Sequence, residues 1–182
     1  MAMIKRALDL DPFNVTIQSF FVIDLYMARR YDDAIVQARK TLAMQPDNLP
    51  TLGFLSPTYA AKGMEKEALE EYKKYLRILE VPDIDTIIDR GFAERGFHGA
   101  MKRVAEILAA RAQEHLALPT DVAFAFTLAG EMDSALDWLE RGYEMRDPSI
   151  PYLRLPVFDP LRSEPRFQEL LRRMNLESSE TK

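Results

Sequence analysis

Two histidines and a short run of aspartates have the best claim to chemistry in this sequence. His98 lies in the glycine-flanked run Gly96-Phe97-His98-Gly99, and His115 follows Glu114. A helical zinc hydrolase site needs two histidines four apart with a glutamate between, and neither histidine belongs to such a set. Asp83, Asp85 and Asp89 together suggest a hard cation, but the central Gly and closing Glu of a calcium loop are missing. Asp83 or Asp85 reads better as a helix cap. Gly91, Gly96 and Gly99 lack the strand–loop–helix setting in which glycines cradle phosphate. Arg162, Arg166, Arg172 and Arg173 could form an anion surface. Glu164, Glu169 and Glu177 interleave with them, so they read as a solvated mixed-charge face; the alternative is that Arg162 and Arg166 pair with acids of the preceding repeat and pin the closing helix. Trp138 sits on an apolar helix and reads as packing. No nucleophile–base pair or ligand set converges, so the expectation is a non-enzyme with no catalytic, cofactor-binding or metal residues and no cofactor.

Composition narrows the class further. The chain has 182 residues, 47% apolar and 29% charged, as in a soluble folded protein. A net charge of -5 gives no electrostatic footprint for nucleic acid. With no cysteine, disulfides, thiolate metal sites and cysteine nucleophiles are excluded. No run approaches the length of a membrane span, and residues 1–12 carry no apolar stretch fit for a secretory signal. No membrane association and a cytoplasmic location are the defaults.

The elements that position these residues come from a repeat. Pro12 recurs as Pro46, and Phe21, Leu25, Ala34 and Ala38 recur as Leu55, Tyr59, Ala68 and Tyr72, all at one constant interval. That interval is the period of stacked two-helix units. Ala34, Ile35, Ala38, Thr41 and Leu42 follow the spacing of one buried helix face. Ala34 and Ala68 are small because two helices cross closely there. Val122, Ala123, Phe126, Gly130, Ala135 and Leu139 reproduce the offsets, with Ala135 one position short of two periods after Ala68. A degenerate unit fits between, with Ile84, Ile87, Ile88 and Phe92 on one helix, Val104, Ile107 and Leu108 on the next, and Gly96–Gly99 as the turn.

These residues resemble the tetratricopeptide repeat, in which Trp, Leu-Gly, Tyr, Ala, an aromatic and Pro recur in order. Gln18 and Leu52 replace the Trp, Ser56 stands at the Gly, and Tyr59, Ala68 and Tyr72 match. Pro57 departs from the pattern and should kink its helix or delay its start. The resemblance implies an all-α fold, a right-handed solenoid of antiparallel helix pairs. The repeats read as 13–46, 47–81, 82–115 (degenerate) and 116–148. Residues 1–12 match the second half of a truncated repeat, 149–176 form an irregular Pro-rich segment with a capping helix, and 177–182 a disordered tail. Phe167, Leu170, Leu171 and Met174 give that closing helix one apolar face, and Asp159-Pro160 and Pro165 look like helix starts. The runs Ala135–Glu140, Arg146–Pro148 and Phe158–Phe167 look like repeat regions that close larger bacterial signalling chains with cyclase-like, winged-helix or kinase modules. That implies a fragment of a bacterial regulatory protein.

In this architecture the first helix of each repeat faces the concave groove. The offsets place Thr16, Ser19, Ile23 and Tyr26 there, then Gly53, Pro57 and Ala60, then Thr120, Phe124 and Thr127. Charge is nearly absent, so a carboxylate clamp is not the expectation and an apolar peptide or helix fits better. The sequence thus reads as a protein-interaction scaffold with a protein or peptide partner. The half repeat leaves Ile4, Ala7 and Leu8 as an apolar edge suited to a homodimer through the N-terminal end. The rivals are a spacer or dimerisation arm with no ligand, the groove being filled by the chain's own helix, and an enzyme built on His98, His115 or the Asp83 cluster.

Overall fold

The computed structural model describes residues 2–176, and every regular element among them is helical. Two compact units divide the chain between Thr86 and Ile87.

Unit 1 holds α1 (Ala2–Leu10), α2 (Val15–Met27), α3 (Tyr31–Met44), α4 (Leu49–Ala61) and α5 (Glu65–Ile78). The helices α2 and α3 pair, α4 and α5 pair, and α4 packs on both members of the first pair. Ala34 and Ala68 are fully buried at their crossings, as the spacing predicts. Ser56, at the position where glycine is usual, donates its hydroxyl to the Ala68 carbonyl at 2.9 Å and ties the second crossing together. Asn14 and Asn48 stand one repeat apart. They cap α2 and α4 by accepting from Ile17 N–H at 3.2 Å and Thr51 N–H at 3.0 Å.

Pro57 neither delays nor breaks its helix: α4 starts at Leu49 and runs on to Ala61. The carbonyl facing its ring belongs to Gly53, which adds no side chain to the crowding there. The next residue, Thr58, donates its hydroxyl to the Phe54 carbonyl at 2.5 Å. One turn geometry also repeats. Arg29 and Gly63 have φ of 57° and 70°, and Gly130 in unit 2 has 77°. In each case the following amide closes onto the carbonyl five residues back: Arg30 to Leu25, Met64 to Tyr59, Glu131 to Phe126.

Helix α6 (Ile84–Gln113) begins at the unit boundary, and unit 2 continues with α7 (Pro119–Leu128), α8 (Met132–Glu144), 3-10 segments at Ile150–Tyr152 and Pro156–Leu161, and α9 (Pro165–Arg173). The expected four-residue turn at Gly96–Gly99 is instead a two-residue break. Arg95 (φ -148°) and Gly96 (φ 62°, ψ -150°) interrupt α6, and Phe97, His98 and Gly99 are already helical. Residues 87–94 and 97–113 then pass very close. A methyl built on Gly91 would lie 2.7 Å from the Gly99 carbonyl oxygen. Two glycines do at this crossing what an alanine does at the others. Asp159-Pro160 starts no helix; it lies inside the Pro156–Leu161 turn, whereas Pro165 opens α9 as expected. The tail, residues 177–182, lies outside the described residues.

Candidate interaction surface

Helix α2, Val-Thr-Ile-Gln-Ser-Phe-Phe-Val-Ile-Asp-Leu-Tyr-Met, is apolar on nearly every face. One side is spoken for: Val22, Leu25 and Tyr26 are at most 1% exposed. The other carries Thr16, Phe20, Ile23 and Met27 at i, i+4, i+7 and i+11, one continuous stripe. Thr16 is exposed, Ile23 is half-buried, and Phe20 and Met27 are 54% and 45% exposed. No charged side chain belongs to the stripe.

The ten positions expected in the groove therefore separate. Thr16 and Ile23 lie on the stripe, and Gly53 and Ala60 on α4 are also partly exposed. Ser19 does not line a surface. It is buried, with its hydroxyl 2.8 Å from both the Val15 carbonyl and Asn48 Oδ1, and Thr51 reaches it at 3.2 Å. Tyr26 is also a core residue, with ring centroids 5.9 Å from Tyr31 and 5.6 Å from Phe54. Pro57 is buried as well. Phe20 and Met27 are the stripe residues that the offsets miss. Each lies four residues beyond one that the offsets include.

In unit 2 the equivalent positions are occupied from within. The interval that carries Ala68 to Ala135 carries Pro57, the counterpart of Ile23, to Phe124. Phe124 packs edge-to-face on Phe158 of the Pro156–Leu161 segment, at 6.2 Å, and Phe158 lies 6.4 Å from Phe167 of α9. Thr127 is buried with its hydroxyl on the Ala123 carbonyl at 2.8 Å. Thr120 is buried against Asp147. These three positions are filled by the chain's own packing.

Asp147 has a role that the sequence conceals. Leu118 at the start of α7 has no capping side chain. Asp147, beyond α8, supplies the missing acceptor: its Oδ2 takes the Thr120 amide at 2.8 Å and hydroxyl at 2.6 Å, and its Oδ1 takes the Ser149 amide at 2.8 Å. Asp121, one residue on, is pushed up to about 6, by burial first and the Asp147 carboxylate second.

The remaining candidates have structural partners. His98 Nδ1 lies 3.0 Å from the Leu128 carbonyl at the end of α7, and Lys102 on the same helix donates to Glu131 at 2.7 Å. His115 is exposed, with φ 60° just past α6. Asp85 accepts from the Arg77 guanidinium, which holds its carboxyl below the ordinary range. Asp83 directly precedes α6 with φ 52°. Among the described residues no group of three or more His, Asp or Glu is arranged to hold a metal ion. Trp138 is half-buried, with the Arg141 guanidinium 4.7 Å from its ring centre. Arg166 pairs with the preceding helix as expected, donating to Glu140 at 2.9 and 2.8 Å and to Asp137 at 2.7 Å. Arg162 does not. It donates to Asp159 at 2.6 Å and to the Arg154 carbonyl at 3.2 Å, within its own segment. No described helix is long and apolar enough to cross a membrane.

No protein-family model and no curated protein matches the chain. Among solved structures it is similar to the crystal structure of YrrB, described as a TPR protein with an unusual peptide-binding site. The two are 17% identical, with a TM-score of 0.42, over 97% of this chain and 93% of that one.

Proposed function

We propose that this chain is a protein-interaction scaffold whose docking face is the first-helix side of unit 1, taking an apolar peptide or helix from a protein partner. The observation that carries the reading is the uncharged stripe Thr16–Phe20–Ile23–Met27, two of whose large side chains are about half exposed. A soluble protein leaves contiguous apolar surface in water chiefly where something docks. Selection of a displayed random peptide library on the whole chain tests this. Enriched apolar sequences that lose binding to Phe20→Asp are expected. Enrichment indifferent to that substitution removes α2 as the docking face.

Self-association through the N-terminal end is a second reading. Helix α1 contributes no buried residue, and Met3, Leu10 and Phe13 are 87%, 81% and 80% exposed. Ile4, Ala7 and Leu8 are half-buried, so the helix covers part of its apolar face and leaves the rest open. Light scattering across a wide concentration range, with a Leu10→Glu, Phe13→Glu variant, checks it. A monomer throughout ends this reading. Placement within a larger bacterial regulatory chain and in the cytoplasm belongs to the same proposal and rests on the likeness of the C-terminal motifs. The full-length reading frame is its test.

A further inference from the structure

The molecule carries a sample of what fits this face. The positions that correspond to Thr16, Phe20, Ile23 and Met27 are Ala117, two residues ahead of α7, and Asp121, Phe124 and Leu128 on it, and all four are half-buried. A segment of the same chain packs on that helix: Pro156-Val157-Phe158-Asp159-Pro160-Leu161, a 3-10 turn with a proline at each end of its aromatic core. Its anchor is Phe158, fully buried and set edge-to-face on Phe124, the counterpart of Ile23. The two prolines fix the turn and lower the entropy lost on docking. On α2 no described segment of unit 1 lies over the corresponding stripe in that way, and Phe20 and Met27 are 54% and 45% exposed. Helix α2 also has Phe20 where α7 has Asp121, so an aromatic ring stands on the stripe where α7 carries a carboxylate.

We infer that the α2 stripe receives a short proline-flanked aromatic turn of a separate polypeptide, of the same chemistry as this chain's own Pro156–Leu161. This rests on the reading of α2 as the docking face and specifies the occupant. A second copy is a poor donor of that turn. Its Phe158 is 0% exposed and held between Phe124 and Phe167, so lending it would open the core of unit 2.

The test uses the whole chain and a fluorescein-labelled synthetic peptide of the sequence Leu153–Ser163, followed by anisotropy and by backbone amide shifts. Saturable binding is expected, with shifts concentrated on α2. Phe20→Asp in the chain, or Phe→Ala in the peptide, should each weaken it by at least about tenfold. Phe20 is half exposed, so its substitution leaves the fold in place, which circular dichroism verifies. Absence of saturation up to millimolar peptide overturns the inference. So do shifts centred on α7, which would mean displacement of the internal segment, or an affinity indifferent to Phe20→Asp. Dimerisation of the chain that Phe20→Asp abolishes would assign the stripe to a second copy, and also overturns it. If library-selected apolar helices bind in a Phe20-dependent way while this peptide does not, the docking face stands and the inference about its occupant fails.

Discussion

Single residues set the geometry at the hairpin turns. Arg29, Gly63 and Gly130 occupy one left-handed position in three repeats, and only the first has a side chain there. At Gly63 a methyl would meet nothing within 4 Å, so Gly63→Ala isolates the backbone cost. It should destabilise the chain by about 1 kcal/mol in urea or guanidinium unfolding. A midpoint equal to the parent's would show that this turn relaxes at no cost. The turn glycine is legible in the sequence because it stands five residues before Ala68, as Gly130 stands before Ala135. Gly91 and Gly99 are not legible in that way. Glycine reads as a breaker from sequence, and only the crossing of two backbones shows that these two permit contact.

Helices and their pairs are legible where one face contrasts with the other, and obscure where none does. The alternation of Ala34, Ile35 and Ala38 with charged neighbours defines the buried side of α3. Helix α2 is apolar on nearly every face, so no periodicity separates buried Ser19 from exposed Phe20; the neighbouring Asn48 decides it. Ala68→Leu tests the crossing of α4 and α5. The larger side chain must displace α4, strain the Ser56 bond to the Ala68 carbonyl, and cost about 1–3 kcal/mol. Unchanged denaturation midpoints would remove that crossing. At the other end, α9 buries Phe167, Leu170 and Leu171, each at most 4% exposed. Each such side chain contributes on the order of 1.5–3 kcal/mol by burial. A chain ending at Arg162 should therefore unfold at markedly lower denaturant and bind a hydrophobic dye. A truncated chain as stable as the parent would mean that α9 adds nothing to unit 2.

At the scale of the whole molecule, stability has an uncommon pH term. Asp121 titrates near 6 in the folded chain and near 3.8 unfolded, so the folded state holds the proton more tightly. Its contribution grows as pH falls from about 6 to about 4 and is lost above, a swing of up to about 3 kcal/mol. Asp85, Glu94 and Glu131 are shifted the other way by guanidinium or ammonium partners, but their pairs are at least partly open to solvent and weigh little. Asp121→Asn should raise the unfolding midpoint at pH 7, leave it nearly unchanged at pH 4, and flatten the profile between. An equal gain at both pH values would point to packing and not to the carboxylate. The all-helical class, the repeat period and the paired helices are legible in the sequence. The Asp147–Thr120 pairing is not, because the two residues stand 27 positions apart and neither matches a local capping pattern.

That pairing has a consequence for synthesis. A chain leaves the ribosome amino end first, and the amide that opens α7 emerges well before the carboxylate that receives it. Until Asp147 clears the exit tunnel, α7 lacks its cap and should fray at its first turn. Helices α2 and α4, capped by the asparagine immediately ahead of each, have no such wait. Unit 1 can therefore settle while unit 2 is still being made, and the last hairpin closes only when the far end of α8 is in hand. Arrest of translation with Asp147 still inside the tunnel should yield a nascent chain whose α7 amides exchange freely, while those of α2 and α4 are already protected.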